Sequence, residues 1–197
     1  DYAATQGYLV VCVDGRGTGF RGKKFASVVY KNLGKYETED QIAAARYVAS
    51  LPYVDASKIG IFGWSFGGYE TLMAMTAPGN PYAAGIAVAP VTDWRLYDSV
   101  YTERFMLTPQ QNSVGYDASS TLGRIKNLKG NLLIVSGTAD DNVHIANTFE
   151  FVSEATSQNK ILDMMVYPNK NHFINGCETR LALYTKLLDY FNRNLKK

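Results

Sequence analysis

The feature that most restricts this chain is Gly63-Trp64-Ser65-Phe66-Gly67-Gly68, set where a short apolar run turns directly into a helix. Lys58-Ile59-Gly60-Ile61-Phe62 reads as a buried strand, being short, apolar and followed by glycine. Tyr69 to Ala77, rich in Leu, Met and Ala, reads as the helix behind it. Glycines around a central serine suit a turn so sharp that a Cβ at either flank, Gly63 or Gly67, is expected to collide with neighbouring backbone. Such a turn lifts the serine hydroxyl out at the carboxyl end of the strand. G-x-S-x-G is common enough by chance that the string alone is weak, and a plain tight turn is the bland reading. The strand-turn-helix setting is what gives the serine weight.

A hydroxyl is a poor nucleophile near neutral pH and needs a base to take its proton. The chain has two histidines, His144 and His172. In the nucleophile elbow of the α/β-hydrolases the acid and then the histidine follow the serine. Asn131-Leu132-Leu133-Ile134-Val135-Ser136 is a clear strand that opens into Gly137-Thr138-Ala139-Asp140-Asp141. Asp163-Met164-Met165-Val166-Tyr167 is the next, and it opens into Pro168-Asn169-Lys170-Asn171-His172. Each candidate thus stands after a strand, on the sheet edge where ligands gather in parallel α/β folds. Ser65, an aspartate of the 140–141 pair and His172 form a triad in the right order. Of the two aspartates, one is expected to cap the following helix and the other to orient the histidine. His144, in the first turn of that helix, reads as structural.

Strands are expected at 8–13, 59–63, 84–89, 131–136 and 161–167, alternating with helices at about 38–50, 66–77, 120–128, 143–158 and 177–194. This is the α/β pattern of a mostly parallel sheet with helices on both faces. Thr38-Glu39-Asp40-Gln41 reads as a capping box. In the last helix Leu181, Tyr184, Leu187, Leu188, Phe191 and Leu195 read as one apolar stripe. A length of 197 residues with 46% apolar and 19% charged residues suits a single domain with a substantial core. The net charge of +2 is scattered, which gives nucleic-acid binding no support. Cys12, in a strand that reads as buried, and Cys177 read as free thiols. No ligand-spaced Cys/His cluster points to a metal, and no cofactor is expected. Gly17-Thr18-Gly19-Phe20-Arg21-Gly22 is a literal G-x-G-x-x-G after the first strand, but no helical pattern starts at those glycines. They are read as letting a loop fold tightly beside the active-site edge.

GWSFGGY at 63–69, GTADDNVH at 137–144 and YDSVYTERF at 97–105 together resemble the dipeptidyl peptidase IV branch of the prolyl oligopeptidase family. DGRGTGFRG at 14–22 and EDQIAAARY at 39–47 fit the same group. The resemblance covers nearly the whole chain. It implies an α/β-hydrolase domain preceded by a β-propeller domain, and removal of N-terminal dipeptides, or tripeptides in some members, after Pro or Ala. It matches Ser65 to the nucleophile, His172 to the base and Asp140 to the residue that orients it. Tyr97 and Tyr101 match the aromatic walls of a proline pocket completed by Val91, Trp94 and Val143. Asn142 matches a side chain that binds a substrate backbone carbonyl. Read without the resemblance, Trp94, Tyr97 and Tyr101 are helix-spaced core aromatics.

Two departures stand out. Phe66 replaces the branch's usual tyrosine, and its backbone N–H still qualifies as an oxyanion donor. Phe173 replaces the glycine usual after the histidine, which bears on the geometry of that loop. Against the resemblance, residues 8–13 correspond to the fourth strand of eight. The earlier strands, the propeller with its acidic pair for the substrate amine, and a tyrosine of the oxyanion hole have no counterpart in this sequence. A gap beside 8–13 and 59–62 is then expected in the sheet, with open edges that favour pairing or a homo-oligomer. The other readings are an acylaminoacyl-peptidase or oligopeptidase of the same family, an esterase, and a non-enzymatic interaction module.

Overall fold

The computed structural model describes residues 2–196. Three helices come first: α1 (Tyr2–Thr5), α2 (Lys23–Ser27) and α3 (Lys35–Ala49). Strand β1 (Gly60–Trp64) leads into α4 (Phe66–Met75), and β2 (Ala84–Val88) into α5 (Ser99–Met106) and α6 (Ser113–Ser119). Strand β3 (Asn131–Gly137) is followed by α7 (Ala146–Ser157), and β4 (Asp163–Tyr167) by α8 (Cys177–Leu195). The four strands are parallel and lie in chain order, β1-β2-β3-β4. All four carboxyl ends therefore point to one edge.

Strand alternation sorts the core into two layers. Ala87, Leu132 and Ile134 face a layer built with Leu72, Met75, Ile125 and Phe151. Ala84, Ile86, Val88, Leu133 and Val135 face the opposite way, onto Leu183, Leu187 and Tyr190 of α8. The central strands β2 and β3 are apolar on both faces because both are covered. Gly60 and Gly85 sit where a Cβ would press on Phe191 and Leu195 of α8 or on Met75 of α4. Helices can therefore lie close against the sheet at those points.

Several expectations are corrected. Tyr8–Val13 forms no strand, and Leu9, Val10 and Val11 are exposed. Among the described residues, strand β1 pairs with β2 alone. The 8–13 run is apolar enough for a strand, but a ladder needs a neighbour at about 4.8 Å. Tertiary contacts hold it elsewhere: Tyr8 Oη donates to Asn192 Oδ1 at 2.9 Å, and Gln41 Nε2 donates to the Val13 carbonyl at 3.1 Å. Cys12 is exposed along with it. The capping box is absent, since α3 begins at Lys35 after Gly34 in the left-handed region (φ 81°). Thr38 is buried inside the helix. The buried stripe of α8 runs through Leu183, Leu187, Tyr190 and Leu195, while Leu181 and Tyr184 face outward. Strand β4 starts at Asp163, leaving Ile161 exposed, and 122–127 is a 3-10 segment instead of an α-helix. The Gly17–Gly22 loop is largely exposed and follows Arg16, which pairs with Asp40 at 2.7 Å and Glu39 at 3.0 Å on α3. It contributes nothing to the serine's cleft.

Thr38 joins α3 to α4 by donating to Glu70 Oε2 at 3.1 Å, and Glu70 Oε1 has no partner among the described residues. Burial, with Glu37 nearby, pushes the Glu70 carboxyl well above its ordinary range. A carboxyl whose folded pKa is raised keeps a proton that the unfolded chain releases above about 4.3, so its burial opposes folding increasingly as pH rises. Glu70→Gln keeps the acceptor for Thr38 and removes this proton uptake. Its unfolding free energy relative to the native sequence should therefore grow from pH 5 to pH 8 in urea titrations. A difference independent of pH would show that Glu70 titrates normally.

Candidate active site

Ser65 stands between β1 and α4 with φ 60° and ψ −116°, a conformation that costs a non-glycine residue on the order of 1–3 kcal/mol. The fold holds it there. Its N–H donates to the Val88 carbonyl at 2.8 Å, and its carbonyl accepts the first helical bond, from Tyr69 N–H, at 3.0 Å. A Cβ on Gly63 would overlap the Gly67 carbonyl, and one on Gly68 would come within 2.8 Å of the Val88 carbonyl oxygen. Gly67 itself has open space where a Cβ would stand. The tight approaches are therefore at Gly63 and Gly68, which corrects the expectation for Gly67. Phe66 opens α4, so its N–H is one of those with no partner inside the helix.

The acid and the histidine come from the loops after β3 and β4, which are laced together. Ala139 N–H donates to the Lys170 carbonyl at 3.0 Å, and Asn169 N–H to Thr138 Oγ1 at 2.7 Å. A Cβ on Gly137 would overlap the Lys170 carbonyl, so only glycine lets the loops cross there. Asp140 and His172, both 4% exposed, meet through Oδ2 and Nδ1 at 2.8 Å. Asp140 Oδ1 accepts from the N–H groups of Asn142 (3.0 Å) and Val143 (2.9 Å). One aspartate thus both braces the turn and holds the imidazole, while Asp141 is exposed. That replaces the expected division of labour between the two. His144 precedes α7 and accepts from Ala146 N–H through Nδ1 at 3.2 Å.

Trp64 Nε1 donates to the His172 carbonyl at 3.0 Å, tying the histidine loop to the elbow. Trp64, Ser65, Asn142, His172, Phe173 and Arg180 line one cleft. Ser65 and His172 share it without a direct hydrogen bond, a contact that often tightens only when substrate is bound. Phe173 takes the usual glycine position without a positive φ. The non-glycine residues of this loop with positive φ are Asn169 (57°) and Ile174 (47°).

The predicted pocket residues gather around Trp94, which is buried and packs on Tyr69 (5.0 Å), Phe66 (5.7 Å), Tyr101 (5.8 Å) and Tyr97 (5.9 Å) between ring centres. Val91 and Val143 are buried in the same cluster, and Tyr97 and Tyr101 are among its partly exposed members. Tyr97 and Tyr101 meet edge to face at 5.5 Å. Tyr97 Oη donates to Asn142 Oδ1 at 2.7 Å, connecting the aromatic cluster to the serine's cleft. Burial raises the phenol pKa of both tyrosines, so they remain neutral donors. Of the three aromatics read as helix-spaced core, Trp94 is buried, alongside Val91 and Val143, while Tyr97 and Tyr101 reach the surface of the cluster.

Sequence reasoning left out Gly137, the Trp64 indole and Arg180. Gly137 is one glycine among 17, and its necessity lies in a crossing between distant segments. Arg180 reaches the cleft from α8, with no motif around it.

The whole chain, residues 1–197, matches the family model described as the prolyl oligopeptidase family, Peptidase_S9. It is 48% identical over 192 residues to a protein described as "Probable dipeptidyl-aminopeptidase B" of Ajellomyces capsulatus, covering 95% of this chain and 21% of that protein. A protein of the same description from Pyrenophora teres f. teres is 49% identical over 191 residues, covering 94% of this chain and 21% of that protein. The crystal structure of Porphyromonas gingivalis dipeptidyl peptidase 4 superposes with a TM-score of 0.97 at 55% identity, covering 98% of this chain and 28% of that one. The fold is accordingly that of an α/β-hydrolase catalytic domain. The chain spans about a fifth of the length of the curated relatives it matches.

Gly137→Ala should destabilise the protein by at least about 2 kcal/mol, because the added methyl meets backbone and not a movable side chain. Urea unfolding measures this. A loss below about 0.5 kcal/mol would mean that the two loops part easily.

Proposed function

The chain belongs to the prolyl oligopeptidase family, and on that premise we propose that it is the catalytic core of a serine exopeptidase. It releases N-terminal dipeptides, or tripeptides, after Pro or Ala. The observation that carries this reading is the buried Asp140–His172 contact at 2.8 Å, opening into the same cleft as Ser65 on its strained elbow.

In the proposed reaction Ser65 Oγ attacks the carbonyl of the penultimate residue. The Nδ1–H of His172 donates to Asp140, which leaves Nε2 to take the serine proton. Asp140 stays ionised and stabilises the imidazolium that forms; its two backbone donors hold its orientation. The Phe66 N–H, free at the start of α4, donates to the oxyanion. His172 then passes the proton to the leaving amine, and water, deprotonated by the same imidazole, hydrolyses the acyl-enzyme. Tyr97 occupies Asn142 Oδ1 and so leaves the amide N–H groups available to a substrate carbonyl. The partly exposed faces of Tyr97 and Tyr101, backed by Trp94, Val91 and Val143, suit a flat apolar proline ring. A β-propeller domain of the same protein is the proposed holder of the substrate's free amine. The outer edge of β1, which lacks a strand partner among the described residues, is the proposed contact with another strand or a second copy.

A fluorophosphonate should label Ser65 and no residue in Ser65→Ala, as located by mass spectrometry. Asp140→Asn should leave the fold intact and lower kcat on an Xaa-Pro substrate by about 10⁴-fold, since the amide favours the wrong imidazole tautomer. Turnover of amino-blocked peptides in preference to free-amine ones would replace the exopeptidase reading with an oligopeptidase one. Labelling elsewhere than Ser65 would overturn both.

A further inference from the structure

The imidazole that takes the Ser65 proton must deliver it to the leaving amine, so the portion of substrate beyond the scissile bond lies along the wall around His172. That wall consists of Trp64, Phe173 and Arg180. Phe173 sets its ring edge to face with the imidazole at 5.5 Å, and the Trp64 indole is anchored to the His172 carbonyl. Arg180, in the first turn of α8, lays its guanidinium over the Trp64 ring at 5.2 Å. Its Nη2 donates to Asn175 Oδ1 at 3.1 Å and its Nη1 to Tyr184 Oη at 3.4 Å. Both partners are neutral.

Arg180 forms no ion pair among the described residues, unlike Arg16, Arg95 and Arg193. Asp140, the carboxylate buried behind His172, is already taken up by the imidazole and two backbone N–H groups. The leaving-group wall therefore carries a half-buried positive charge with no ion-pair partner among the described residues, its guanidinium carbon lying over the Trp64 ring and its nitrogens held by Asn175 and Tyr184. A planar guanidinium fixed in this way has lost its side-chain freedom before a ligand arrives, which favours paired hydrogen bonds to a carboxylate. We propose that Arg180 is a specificity-determining residue that binds a carboxylate on the leaving portion of the peptide. The carboxylate is either the free C-terminus of a short substrate or an acidic side chain just beyond the cleavage site. Trp64 and Phe173 supply apolar surface beside it.

This rests on the exopeptidase reading, and the test separates the two. The intact protein would be given Gly-Pro-Ala with a free C-terminus, its C-terminal amide, Gly-Pro-Glu amide, and Gly-Pro p-nitroanilide. Rates are normalised to the fraction of Ser65 labelled by fluorophosphonate, so that poor folding of a variant does not enter. The native enzyme should prefer a carboxylate-bearing peptide to Gly-Pro-Ala amide by about tenfold in kcat/KM at low salt, the order expected of one charge-assisted contact. That ratio should shrink as salt rises. Arg180→Gln should bring it to about one, and Arg180→Lys should retain part of it, which a merely structural role would not do. Whichever of the two acids carries the preference identifies the source of the carboxylate. A native ratio near one, or one that survives in Arg180→Gln, overturns the proposal. Failure to cleave the anilide as well would overturn the exopeptidase reading, and the proposal with it.

Discussion

The carboxylate of Asp140 is the contact on which the site depends. A buried charge is costly unless paired and hydrogen-bonded. Here one oxygen receives two backbone N–H groups and the other faces His172. The same group therefore closes the loop after β3 and fixes the imidazole on the loop after β4. The geometry is possible only because the two loops touch, and they touch only because Gly137 offers no side chain to the Lys170 carbonyl. A position with no chemistry of its own thus decides whether Asp140 and His172 meet.

The serine is held by a different part of the molecule. Its strained backbone is secured by Val88 on β2 and by the first turn of α4, whose buried length packs against the sheet. Tyr69, one turn further on, sits with its hydroxyl 3.0 and 2.9 Å from the carbonyls of Leu33 and Ser119, and its ring packs against Trp94. The helix that presents Ser65 is thereby the helix that supports the aromatic cluster. Disturbing that core moves both halves of the site together, and the Trp64 indole couples them to the histidine loop.

Much of this was legible in the chain. The elbow, the order of acid and histidine, and the alternation of strands with helices follow from local periodicity and from turn chemistry that acts within a few residues. The failures share a cause. Tyr8–Val13 has the composition of a strand, but a strand exists only with a partner beside it. Thr38 has the look of a cap, yet α3 starts a turn earlier and spends the hydroxyl on Glu70. Leu181 and Tyr184 fit the helical stripe of α8, but the sheet selects the neighbouring face through Leu183 and Tyr190. In each case the competing partner lies far away along the chain.

The sequence by itself determined the parallel α/β architecture, the serine at a strand-to-helix turn and the loops that carry an acid and a histidine, because these depend on patterns read over a dozen residues or fewer. Only the tertiary structure decided that Asp140 serves turn and imidazole at once, that Gly137 is where the loops cross, and that Arg180 reaches the cleft. Those outcomes require segments distant in the chain to come within hydrogen-bonding or stacking distance. No local pattern of residues specifies such an approach; the packing of α4 and α8 on opposite faces of one sheet does.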